Sequence, residues 1–226
     1  MPIPERITVL LNRLETYLSG ALADGTLVLL KDDADGRVNS QKNERQISHA
    51  LGLYTHSSEW FEAEGYTLQI AEARYWYDFS VSGPEFFIPV NVKVSSFKSA
   101  DNLSSKEGLF YALTGVDPCT VNINSWESYC RFMAEHLGQV PDADYYFLCV
   151  NKSHPGDVIW TSLKSLQVLR ASGSNPPYQC RWAANRERQE RTQEEAIAFL
   201  LPILRESFVK GANPLLSFDK HLQQFI

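Results

Sequence analysis

Asp78, Asn91 and Lys93 are the residues whose types and spacing most clearly suggest chemistry. Asp78 lies inside the aromatic stretch Trp-Tyr-Asp-Phe-Ser-Val (76–81), and Asn91 and Lys93 lie inside Phe-Ile-Pro-Val-Asn-Val-Lys-Val-Ser (87–95). Side chains alternate faces along a strand, so Val90, Val92 and Val94 share one face and Asn91, Lys93 and Ser95 the other. An unpaired ammonium in the middle of such a strand costs several kcal/mol, so Lys93 calls for a carboxylate nearby. The turn at Ser82–Glu85 folds the preceding strand back and places Asp78 opposite residues 89–91. Two ionisable groups on one hairpin make a site of perturbed proton affinity. The chemistry would be a divalent cation held by Asp78, with Lys93 orienting or deprotonating a water and stabilising charge on a phosphoryl group. The plain alternative is a buried Asp–Lys pair that only supports the sheet.

The elements that must position these residues are legible as periodicities. Ile7, Leu10, Leu11, Leu14 and Leu18 predict a helix over 4–22. Ser40 is placed to cap a second helix running to Tyr54, with Ile47, Ala50, Leu51 and Tyr54 on one face. Residues 66–71, 74–81 and 87–95 read as strands, and 145–150 and 158–161 as buried strands. Helices are expected at 103–114, 125–137 and 193–209, the last bent at Pro202. Strands alternate with helices, so an α/β fold with a central mixed sheet flanked by helices follows. With 226 residues the chain reads as one domain.

The Asp78, turn, Asn91-Val92-Lys93 arrangement resembles the PD-(D/E)XK pattern of many type II restriction endonucleases, in an N-x-K version. The stretch from Phe87 to Val94, followed by Ala-Asp-Asn-Leu-Ser-Ser-Lys-Glu-Gly-Leu-Phe-Tyr-Ala-Leu-Thr-Gly (100–115), is similar to the same family, and the likeness is nearest to its rare cutters of A/T-rich sites. The likeness covers roughly 40–195. It implies a restriction-endonuclease-like fold, with a catalytic core at about 40–165, a DNA-reading segment at about 165–192 and a C-terminal helix at 193–209. It also implies Mg²⁺-dependent hydrolysis of phosphodiester bonds in palindromic duplex DNA by a homodimer, leaving 5′-phosphate and 3′-hydroxyl ends.

Two departures matter. Tyr77, not proline, precedes Asp78, and Asn91 stands where the family has a second carboxylate, although an amide is a neutral and poorer ligand. Glu44, in Asn-Glu-Arg-Gln-Ile-Ser-His (43–49), is the candidate replacement, with Glu72 the weaker one. By the likeness, Asp78, Glu44 and the Val92 carbonyl hold the metal, Asn91 helps hold it or its water, and Lys93 positions the nucleophile. Lys98, Asn102, Ser104, Ser105 and Lys106 follow the catalytic strand and are candidates for backbone contacts. Asn175, Tyr178, Gln179, Arg181, Asn185, Arg186 and Arg188 are the candidates for reading DNA, amides on adenine and arginines on guanine or phosphate.

The overall charge of −6 at first argues against a nucleic-acid partner. Its distribution alters that. Residues 1–92 hold 13 acidic and 7 basic residues, whereas 93–226 hold 14 of each. Segment 164–191 carries six basic residues against two acidic ones. The four cysteines form no CxxC pair and the histidines no metal-binding spacing, so reduced, mostly buried thiols in a cytoplasmic protein are expected. The charged N-terminal stretch does not read as a signal peptide, no apolar run is long enough for a membrane helix, and no phosphate-cradling loop for a nucleotide cofactor is present. Two rival readings are a structure-specific repair or recombination nuclease and a non-catalytic DNA-binding protein on a degraded nuclease fold.

Overall fold

The computed structural model describes residues 4–30, 36–103, 106–154, 156–173 and 178–221. A five-stranded mixed sheet lies at the centre in the order β1-β2-β3-β5-β6. Its strands are β1 (Thr67–Ile70), β2 (Phe79–Gly83), β3 (Phe86–Ser95), β5 (Tyr146–Asn151) and β6 (Val158–Ser162). The β1–β2, β2–β3 and β5–β6 pairs are antiparallel, and β3–β5 is parallel. β3 is the pivot, antiparallel on one side and parallel on the other. A second, three-stranded sheet has the order β4-β8-β7, from β4 (Asp101–Asn102), β7 (Arg170–Ala171) and β8 (Tyr178–Cys180).

The period-2 alternation of β3 divides the core in two. Val90, Val92 and Val94, with Tyr146, Leu148 and Val150 of β5, face α1 (Glu5–Ala23) and α2 (Gly36–Ser57), which supply Leu10, Leu11, Leu14, Leu18, Ile47 and Leu51. Phe147 and Cys149 face the opposite side, with α4 (Lys106–Thr114), α5 (Trp126–His136), α6 (Gln193–His221) and the inner face of the small sheet. A short α3 (Glu59–Ala63) precedes β1. Each of these apolar side chains contributes about 1.5–3 kcal/mol when fully buried, so the sheet that carries β3 is held by core packing on both of its faces.

Several boundaries differ from the sequence reading for identifiable reasons. The second helix begins at Gly36, so Ser40 lies inside it and donates instead to the Val94 carbonyl, 3.4 Å away. Residues 74–78 are not strand. Arg74 turns the chain at a φ of 70°, and Trp76 stacks at 5.9 Å on Tyr145, whose hydroxyl donates to the Trp76 carbonyl. α4 starts at Lys106, because 101–102 pair with β8. It ends at Thr114, followed by Gly115, whose φ of 73° and N–H bond to Tyr111 O form a left-handed cap. The last helix continues through Pro202 to His221, with Ala196, Leu200 and Leu204 buried along it. Cys149 and Cys180 are buried as free thiols, but Cys119 and Cys130 are exposed. Among the described residues no helix is long and apolar enough to cross a membrane.

Candidate active site

The site arises because β3 outruns β2. The last β2–β3 pair is Phe79 with Val90, and Asp78 N–H closes the ladder on the Val90 carbonyl at 3.0 Å. β3 nevertheless continues to Ser95, paired there only with β5 on its other side. The N–H groups of Val92 and Val94 therefore project from an unfinished sheet edge, where a missing partner is costly. A carboxylate takes the place of the missing strand at Val92. Val92 N–H donates to Asp78 Oδ2 at 2.7 Å. The carboxyl of Glu44, on α2, lies near enough to Val94 for that N–H dipole to favour its charged form. The Val92 carbonyl lies on the same edge as its N–H.

Lys93 points to the other face of β3, where its positive charge acts on Glu44 and Asp78 and on the thiols of Cys149 and Cys180. Burial raises the Asp78 carboxyl above its ordinary value, partly offset by the Val92 N–H and Lys93. Glu44 is pushed up to about 7, first by burial and then by the negative charges of Asp78 and Asp101, against the opposing pull of Lys93 and the Val94 N–H. Such a carboxyl gains most from a cation that takes up its charge.

Asn91 Oδ1 is buried and has no hydrogen-bond partner among the described residues. A buried amide oxygen left without a donor is a position that a metal ion or its water would satisfy. Oxygen donors of this kind, an amide oxygen, two carboxylates and a backbone carbonyl, would suit Mg²⁺ or Mn²⁺ rather than a softer metal. Among the described residues no group of three or more His, Cys, Asp or Glu side chains gathers to hold a metal, so a cation would depend on neutral oxygens and water for its remaining ligands. Mg²⁺ is a metal that keeps several waters.

Asp78 and Glu44 open onto a cleft of about 600 Å³, also lined by Arg45, Ser48, His49, Glu72, Arg74 and Tyr77. An acidic pair flanked by two arginines suits a phosphodiester, with the negative centre for the metal and the positive rim for the backbone. Glu72 is exposed at the rim, while Glu44 is the acid beside Lys93. Sequence reasoning did not single out Arg45, Arg74 or Asp101. Arg45 could have been found as the neighbour of Glu44, but the placement of Arg74 follows from a loop and that of Asp101 from the pairing of β4 with β8.

The expected DNA contacts separate into three groups. Lys98 and Arg181 are exposed, and Asn102 and Gln179 pair across the small sheet through Gln179 Nε2 and Asn102 Oδ1 at 2.8 Å. Ser104, Ser105 and Asn175 lie outside the described residues. The remaining residues serve the fold. Lys106 Nζ donates to the carbonyls of Ile123 and Asn124 at 2.6 and 3.0 Å. The Tyr178 hydroxyl is buried and donates to the Leu200 carbonyl. Arg186 makes a bidentate pair with Asp157, and Arg188 donates to the Trp160 carbonyl while covering the Trp160 ring at 3.8 Å. With Gln189 N–H bonded to Ser165 O, segment 186–191 seals the outer edge of β6. Half of the basic stretch is therefore edge protection.

Asn185 is the clearest correction. It is fully buried, its Oδ1 accepts from Val168 N–H, and its Nδ2 donates to the carbonyls of Val168 and Arg181. No edge remains for adenine. Asn185→Ala is expected to destabilise the fold by roughly 2–3 kcal/mol, since it strands buried backbone groups. A thermal melt should register this as a fall of roughly 5–10 °C. An unchanged melting temperature would remove the structural role.

Set against known proteins, the chain matches no family model, and no curated protein is significantly similar to it.

Proposed function

We propose that this protein is a Mg²⁺-dependent endonuclease of the PD-(D/E)XK kind that cuts duplex DNA at a specific site. The observation that carries this reading is the meeting of Asp78 and Glu44 at the unfinished edge of β3, within reach of the Lys93 charge and facing a cleft also lined by Arg45 and Arg74. Asp78 and Glu44, with the Val92 carbonyl and Asn91 Oδ1, would hold the cation. When bound, the metal supplies Lewis-acid stabilisation of the phosphoryl oxygens and a lowered pKa for its water. Lys93 orients the attacking water and counters charge developing on the phosphorus oxygens. Arg45 and Arg74 hold the flanking phosphates. A palindromic site read by a homodimer follows from the family likeness and is part of the proposal.

The decisive experiment is digestion of supercoiled plasmid and phage DNA with and without Mg²⁺, with the ends mapped. Discrete fragments carrying 5′-phosphates support the reading. Cutting confined to junctions or flaps would replace it with a structure-specific nuclease. Tight DNA binding with no turnover in Mg²⁺ or Mn²⁺ would replace it with a non-catalytic binder, the outcome that the amide at position 91 would favour.

A further inference from the structure

We infer that Asn102, Gln179 and Arg170 form a pre-aligned row across the small sheet that reads base edges in the major groove of duplex DNA, an inference that rests on the nuclease reading above.

The row is set by register. Gln179 of β8 lies directly opposite Asn102 of β4 on one side and Arg170 of β7 on the other. Directly paired residues share a face. Their neighbours Tyr178 and Cys180 are buried against the core, so the row points outward; Asn102 and Arg170 are exposed and Gln179 is partly so. Arg170 has no ion-pair partner among the described residues. The Gln179–Asn102 bond orients both amides, leaving Gln179 Oε1 as acceptor and the Asn102 amino group as donor.

The inner face is anchored. Leu103 N–H donates to the Tyr178 carbonyl, the Tyr178 hydroxyl to the Leu200 carbonyl, and Trp182 Nε1 to Asp101 Oδ2 at 2.6 Å. Asp101 and Cys180 also place this sheet against the catalytic edge, since the charge of Asp101 reaches Glu44 and that of Lys93 reaches Cys180. A reading surface needs this rigidity and this proximity to the scissile bond.

The chemistry favours bases over phosphate. Phosphates ask only for donors, whereas this row offers an acceptor, an amide donor and a guanidinium fork in one line, matching the mixed pattern of base edges in the major groove. Three strands spaced ~4.8 Å apart span ~10 Å, or about three base-pair steps of 3.4 Å. Beside the row, Ala100, Val168 and Ala184 line a hollow of about 130 Å³ rimmed by Arg170 and Gln179, an apolar seat that fits a thymine methyl.

The test uses Lys93→Ala protein, so that bound DNA is not cut, and selects binders from a pool of duplexes with randomised cores. The parent should enrich one sequence. Gln179→Ala and Arg170→Ala, each shown to melt like the parent, should lose selection at one to three positions and weaken the preference for the parental sequence about ten- to a hundred-fold. Arg205→Ala, a matched loss of charge on the exposed face of α6, should enrich the parental sequence. If the row variants enrich that sequence with undiminished preference, the row is overturned and the nuclease reading stands. If the parent enriches no sequence, sequence-specific reading fails and the row with it.

Discussion

Lys93→Ala is expected to lower plasmid cleavage at least a thousand-fold while DNA binding and the melting temperature stay close to those of the parent. The size of the effect follows from what the side chain is placed to do. Lys93 is the only basic residue on the Asn91–Ser95 overhang of β3, and its charge acts on both carboxylates at the edge. Removing a preorganised group that stabilises transition-state charge typically costs two to three powers of ten. Loss of the water-positioning function adds to this, because proximity contributes in its own right. The fold should tolerate the change near neutral pH, since the Glu44 carboxyl, already pushed up to about 7, can take up a proton when the lysine charge is removed. Asp78→Ala should be equally inactive, but it also strands the Val92 N–H, so its melting temperature should fall as well. Cleavage of plasmid at the parental rate by Lys93→Ala would end the catalytic assignment.

What could be read from the sequence was whatever depends on local period and on the cost of buried charge. The alternation in 87–95 established β3 as a strand and put Asn91 and Lys93 on one face, and the turn at 82–85 brought Asp78 to the right strand end. Glu44 was singled out by its place on a helix face and by family likeness, and α2 does bring it to Val94. The small sheet was not legible. Its strands are two or three residues long, too short for a period, and the cross-strand pairing of Asp101–Asn102 with Gln179–Cys180 spans about eighty residues. Charge alone also misled. Arg186 and Arg188 looked like DNA contacts because composition cannot distinguish an arginine facing phosphate from one sealing a sheet edge.

Glu44→Gln separates the metal-binding role from the structural one through pH. In the metal-free protein the Glu44 carboxyl titrates near 7, well above its ordinary 4.5. Between those values the folded state holds a proton that the unfolded chain has released. The associated stability is therefore present in full below pH 4.5, falls as pH rises, and is lost above about pH 7. Glutamine has nearly the same shape and remains neutral at every pH. Metal-free Glu44→Gln should match the parent near pH 5 and exceed its stability at pH 8, by about 3 kcal/mol at most for a shift of this size. Mg²⁺ should reverse the order. The parent should gain melting temperature with added Mg²⁺ as the ion binds the ionised folded state, and the variant should gain far less. Cleavage should be lost in the variant, and in the parent it should rise with pH at limiting Mg²⁺, because binding requires the ionised carboxylate. Metal-free melting curves that run parallel for the two proteins from pH 5 to 8 would show that Glu44 is an ordinary surface acid. Parallel responses to Mg²⁺ would show that the ion is held elsewhere. Only the crossing of the two orders, the glutamine variant the more stable without metal and the parent the more stable with it, fits a carboxyl kept protonated by burial until a cation takes the proton's place.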